Sequence, residues 1–233
     1  YYDRTRKHII KNFRILEIFE CDDKYIDTSQ DTLILILQNK KPNQNANKDY
    51  FIEKSSFTVL GTKENIIKLK KLYIDSTTLH SLGFDVKVGK LVWNQNKKDL
   101  TNDDSKTLLI YSSDIKNNKL EIQSYKNKDK KNYIDQEGIK DCILVINRGY
   151  GKGKYKFNYC IINENENREY LIENHLICVR YKDGISDNEL ISKYKKIMKS
   201  LSNKKTQEFI MTYFGNNAIN TTEINYILPI FNN

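Results

Sequence analysis

Proline is almost missing from this chain: Pro42 and Pro229 are the only two in 233 residues. They stand alone, so any motif built on adjacent prolines is excluded. Cysteine is sparse too. Cys21, Cys142, Cys160 and Cys178 each lie in or beside an apolar, strand-like run. No pair has metal-ligand spacing and none belongs to a small disulfide framework, so reduced thiols in an intracellular, cytoplasmic protein are expected. His8, His80 and His175 are far apart, and no metal site is expected from them. No apolar run reaches membrane-spanning length and no secretory leader pattern is present, so no membrane partner is expected. Acid is in deficit: Lys plus Arg exceed Asp plus Glu by 39 to 30, a net charge of +9. That favours a polyanionic partner, although an AT-rich coding sequence also produces Lys and Asn in excess.

Hydrophobic content of 39% is modest, yet a chain of this length still buries a sizeable core, in one large domain or one and a fraction. Tyr1–Lys11 reads as a helix already under way, without an initiator Met, and Phe13–Phe19 as a strand. Thr32–Gln38 is a continuous apolar run suited to a strand buried on both faces. Two strands joined by the polar turn Asp22–Gln30 make no stable sheet alone, so they are expected to close a larger α/β sheet. The polar Lys40–Lys48 reads as a linker. A second unit begins near Asp49, with an amphipathic helix at Thr62–Leu72 and a helical turn at Ser76–Leu82 stopped by Gly83. Strands are then predicted at Phe84–Val92, Lys106–Tyr111, Leu120–Ser124, Cys142–Ile146, Tyr155–Ile162 and Leu171–Tyr181. Ser186 and Glu189 form a capping box ahead of Leu190–Leu201. Helices at Lys204–Phe214 and Thr221–Ile227 follow, the last ended by Pro229.

No self-contained active site stands out. The carboxylates are scattered through solvated stretches, and no general acid–base pair can be picked out. His175, inside a predicted strand, reads as a hydrogen-bonded structural histidine. Two stretches carry chemistry of another kind. Phe84–Lys98 ends in Trp93, the only tryptophan, followed by Asn94, Gln95, Lys97 and Lys98, with Lys90 just before. An aromatic platform, amides able to pair with a base edge, and cations for phosphate are what a nucleic-acid reader needs. Asn147–Tyr159 holds Arg148, Tyr150, Lys152, Lys154 and Lys156 among glycines and no acid. It is not a Walker loop, because the Gly-Lys-Ser/Thr ending is missing and a strand follows. Arg148 suits a guanine edge, and the lysines suit phosphates. A core tryptophan before a polar turn, and a flexible hairpin with a solvated basic tip, are the plain alternatives. Recurrence of the same chemistry after two strands favours a nucleic-acid face.

Val86 to Gln95, Val-Lys-Val-Gly-Lys-Leu-Val-Trp-Asn-Gln, resembles a segment of adenine-specific (N6) DNA methyltransferases of type II restriction–modification systems. There a Val-x-x-Gly-x-x-Val-Trp-Asn-Gln-like run opens the target recognition domain. Tyr1–Ile10, Phe13–Glu20 and Ser29–Leu35 are similar to the last helix and strands of that family's catalytic domain. Phe214–Ala218 and Ile227–Phe231 fit its C-terminal helical part, so the likeness spans nearly the whole chain.

The resemblance implies an α+β protein. Residues 1–40 would be the last helix and strands of a Rossmann-like methyltransferase sheet and 41–48 a linker. Residues 49–233 would be a mixed, β-rich target recognition domain with C-terminal helices. It implies recognition of double-stranded DNA by a base-flipping, S-adenosyl-L-methionine-dependent enzyme, with a cognate endonuclease as a further partner. Tyr2, or Tyr1, matches the aromatic that stacks on the flipped adenine. The chain departs from the family in lacking both the catalytic Asn/Asp-Pro-Pro-Tyr/Phe and the cofactor turn. No catalytic residue is therefore expected here, and the chain alone is expected to be inactive. The cofactor would be held by an upstream segment or a partner chain carrying the catalytic half. A stand-alone nucleic-acid-binding specificity subunit and part of a fused restriction–modification enzyme are the alternatives left open.

Overall fold

The computed structural model describes residues 2–21, 32–54, 57–147, 157–164, 167–213 and 219–231. At its centre is an antiparallel sheet of four strands in the order Asn158–Ile162, Ile143–Asn147, Leu176–Tyr181, Phe84–Val88. The pleat sends alternate side chains to opposite faces, and this sequence is apolar on both. Ile143 and Val145 face one way, Leu144 and Ile146 the other, and all four are fully buried. A sheet of this kind needs a layer on each side.

Helices supply one layer. Lys63–Leu72 buries Ile66, Leu69 and Leu72, and its first turn is capped by Thr62, which accepts from the Asn65 N–H at 3.2 Å. Asp187–Leu201 starts at Ser186 and buries Tyr194, Ile197 and Leu201 at helical spacing. Lys204–Tyr213 and Thr221–Tyr226 complete the layer, the latter opened by an Asn220/Glu223 capping box. The other layer is a second four-stranded sheet, ordered Tyr170–Ile172, Thr107–Ile110, Tyr133–Ile134, Leu100–Thr101, whose first two strands run parallel. Leu108, Ile110, Tyr170 and Ile172 pack from it against the central sheet. The molecule is a mixed α+β protein.

The N-terminal part is a helix, Asp3–Asn12, and an antiparallel pair, Arg14–Cys21 with Thr32–Gln38, bulged between Ile15 and Glu17. Its inner face packs Ile15, Ile18, Leu35 and Leu37 against Tyr50 and Leu60. The outer face differs from the doubly buried strand expected. Phe19, Ile34 and Ile36 are exposed, because Thr32–Gln38 has one ladder partner and no second layer over it among the described residues. The polar stretch 41–48 is tied down at Asn47. Its buried amide donates to the Ile10 and Phe13 carbonyls and accepts from the Ile15 N–H.

Other expectations shift. The strand predicted over 171–181 is two strands, Tyr170–Ile172 and Leu176–Tyr181, in different sheets. His175 lies in the turn between them, not in a strand. The strand predicted at 120–124 shrinks to the pair Lys119–Leu120. Ser76–Thr77 pairs with Ile230–Phe231, and only 78–82 make the helical turn, closed by the Leu82 N–H bonding the Thr78 carbonyl and by Gly83 at φ 86°. The turn 22–30, the start of the strand predicted at 155, and the 214–218 motif lie wholly or partly outside the described residues.

Cys160 and Cys178 both pair with Val145, from opposite sides. Two strand spacings, about 9–10 Å, exceed the reach of a disulfide. Burial pushes the Cys160 thiol up to about 12, and those of Cys142 and Cys178 up to about 11. At pH 8 these three thiols should react with a disulfide reagent far more slowly in the native chain than in urea, because the reactive thiolate is suppressed. Equal rates in both states, read by mass spectrometry of each cysteine, would contradict this packing.

Candidate nucleic-acid interface

The two sheets meet where Phe84–Val88 ends. Gly89 donates to the Leu176 carbonyl at 2.9 Å, Leu91 to Ile172 at 3.2 Å, and Asn174 back to Leu91 at 2.9 Å. The chain thereby leaves the central sheet and runs along the edge of the second one, where Leu91 forms a parallel bridge to Glu173. A Cβ on Gly89 would lie 2.2 Å from the Glu173 carbonyl oxygen and 2.4 Å from that of Ile172. Only glycine lets these backbones approach so closely.

Past the crossing, Leu91 and Trp93 cover Leu100, Leu109, Tyr111 and Ile134. Trp93 is half-buried: one part of the ring is seated in this cluster, and the 3₁₀ turn Trp93–Gln95 begins with it. Asn94 and Gln95 are exposed, and among the described residues no hydrogen bond holds either amide. Asn96 is turned inward instead. It donates to the Val92 carbonyl at 2.9 Å and accepts from Gln136 at 3.1 Å, which fixes the turn that presents its two neighbours. Lys90 and Lys98 are exposed without an ion pair among the described residues. Lys97 is already engaged, 2.8 Å from the Asp129 carboxylate and 5.8 Å from the Trp93 ring centroid.

Arg148, Tyr150, Lys152, Lys154 and Lys156 lie outside the described residues. The flanks of their stretch are well placed. Asn147 pairs with Leu176 and donates to the Ser112 carbonyl at 2.7 Å. The Tyr159 N–H bonds Asn118 at 3.2 Å, and Asn118 with Asn117 forms a tight turn at positive φ. Gly89 and Asn147 thus flank Leu176 on its two sides, so both stretches set out from one end of the central sheet, about 9–10 Å apart. Tyr2 belongs elsewhere, at the start of the helix that packs on Phe57–Leu60. It is 75% exposed, with φ 66°, which leaves its ring open to a stacking partner; Tyr1 lies outside the described residues.

Beneath Trp93 runs a polar network that the sequence reading missed. Asp114 is completely buried and accepts from the Tyr111 and Gln123 N–H groups and from the Tyr125 hydroxyl. The Lys130 ammonium sits 4.0 Å from the ring centroids of both Tyr111 and Tyr125. Burial lowers its pKa, against the opposing pull of Asp114 and Glu173, and burial raises those of the two phenols. This network clamps the Lys-rich segment 125–131 onto the sheet, aided by the Tyr111 hydroxyl bonding the Lys131 carbonyl at 2.8 Å. Nearby, the buried Glu173 carboxylate hydrogen-bonds His175. One signal was there: Glu-Asn-His breaking an otherwise apolar run marks a turn.

Gly89→Ala should lower the stability of the chain by about 2–4 kcal/mol, since backbone must move to admit the methyl group. Gly184→Ala, where nothing lies within 4 Å of the added carbon, should stay within about 0.5 kcal/mol. Urea denaturation midpoints measure both. Asp114→Ala strands three donors and should cost about 2–5 kcal/mol in the same assay. Among the described residues no group of three or more His, Cys, Asp or Glu could hold a metal ion, and no helix is long and apolar enough to cross a membrane. No family model and no curated protein matches the chain.

Proposed function

We propose that this chain is the DNA-recognition part of a site-specific adenine-N6 methyltransferase of a restriction–modification system. What supports the reading is the shared origin of its two basic, aromatic stretches on either side of Leu176. The unbonded Asn94 and Gln95 amides beside a seated tryptophan fit it as well. Asn94, Gln95 and Arg148 read base edges, where donor and acceptor patterns differ between base pairs. Lys90, Lys97, Lys98, Lys152, Lys154 and Lys156 hold phosphates and carry no sequence information. Trp93 and Tyr150 give apolar surface against the sugars or bases.

In this reading residues 1–40 close a Rossmann-like sheet whose remaining strands, with the S-adenosyl-L-methionine site, belong to the catalytic half. The bare apolar face of Phe19, Ile34 and Ile36 suits such a neighbour. Tyr2, or Tyr1, stacks on the adenine once it is rotated out of the duplex. The catalytic half would hold the cofactor and supply the methyl-transfer chemistry; this chain contributes the choice of site.

Binding of the chain to duplex DNA, followed by fluorescence anisotropy, should weaken steeply as salt rises. Lys90→Ala and Lys98→Ala should each reduce the log–log salt slope by about 1 and weaken all sequences alike, whereas Gln95→Ala should cost about 1–3 kcal/mol at one position of the site. Salt-independent binding, or none, overturns the DNA reading. The polypeptide joined to its catalytic half should methylate plasmid adenines within one recurring sequence. DNA binding without adenine modification in that assembly overturns the methyltransferase assignment alone.

A further inference from the structure

We propose that His175 is an additional base reader in this interface, accepting a hydrogen bond from the exocyclic amino group of adenine or cytosine, with Glu173 as its positioning residue. The inference rests on the nucleic-acid reading above and extends it to a residue that lies in neither basic stretch. The turn 173–176 is where the chain passes from the second sheet to the central one, closed by the Leu176 N–H bonding the Glu173 carbonyl at 3.1 Å. It lies between the two stretches: Asn174 bonds Leu91 on one side, and Leu176 pairs with Asn147 on the other. The turn is thus flanked by Leu91 and by Asn147, the residues from which the two stretches set out.

The chemistry of the pair fixes what His175 offers. The Glu173 side chain is 3% exposed and that of His175 56% exposed. Glu173 accepts from the His175 backbone N–H at 3.0 Å and from Nδ1 of the ring. In the neutral ring an Nδ1–H donates to this carboxylate, which leaves Nε2 as a lone-pair acceptor on the exposed side chain. Phosphate has no proton to give such an acceptor. The major-groove edges of adenine and cytosine do, through their amino groups. A buried carboxylate is expensive to desolvate, and here one of its oxygens holds the exposed ring while the other holds the backbone N–H of the same residue.

The test enriches duplexes from a random-sequence pool on the immobilised full chain, then repeats the enrichment with variants whose melting temperatures match the parent. The parent pool should carry adenine or cytosine at one strand position that His175→Ala no longer selects. Discrimination there should fall roughly 5- to 100-fold, while preferences elsewhere persist. Glu173→Gln should move the preference toward guanine or thymine, because its amide can donate to Nδ1 and leave the proton on Nε2. A merely structural role for Glu173 would not move that preference. Unchanged preferences in His175→Ala, or a uniform weakening for every sequence, overturn the inference while the interface stands. A parent chain that enriches no duplex overturns the interface and this inference together.

Discussion

The close passage of Gly89 against the carbonyls of Ile172 and Glu173 joins the two sheets, and the geometry of the candidate interface follows from it. Because backbone lies on backbone there, the strand that leaves the central sheet has one course, along the edge of its neighbour. Leu91 is held to the 172–174 segment through both its N–H and its carbonyl, Trp93 is delivered onto the Tyr111 cluster, and Asn94 and Gln95 are turned outward. A side chain at position 89 would separate the layers and release every one of these placements.

Base reading demands side chains held within a fraction of an ångström, so the supports matter as much as the readers. Asn96 and Gln136 brace the turn from inside, and the Asp114–Tyr125–Lys130 network holds the second sheet's loops beneath it. A fully buried carboxylate tolerates its environment here because three donors converge on it. The Lys-rich segment above is thereby an anchored strap rather than a free basic tail.

The helices and the central strands were legible in the sequence, because caps and period announce them. Ser186 with Glu189 marks where one helix begins, and the apolar runs at 143–147 and 158–162 are strands apolar on both faces; the caps at Thr62 and Asn220 emerge only in the structure. What stayed hidden was which layer each apolar residue meets. Tyr170–Ile172 and Leu176–Tyr181 read as one strand because both are buried, and periodicity cannot reveal that they belong to different sheets. The same blindness made Thr32–Gln38 look doubly covered. At the interface, composition pointed to Asn94 and Gln95 but could not separate them from the inward-facing Asn96, since that distinction is made by Gln136, forty positions along the chain. Asp114 was invisible for a related reason: it is a lone acid whose donors come from residues along neighbouring turns.

Lys97 carries its own counterion. With Asp129 at 2.8 Å, the ammonium is already paired before any polyanion arrives, so a phosphate engaging it exchanges partners with a carboxylate, and the cation it sheds is offset on balance only where Asp129 recruits one in its place. On the proposed reading, counting lysines along this edge overstates the free positive charge it offers, because Lys97 is already paired with a carboxylate.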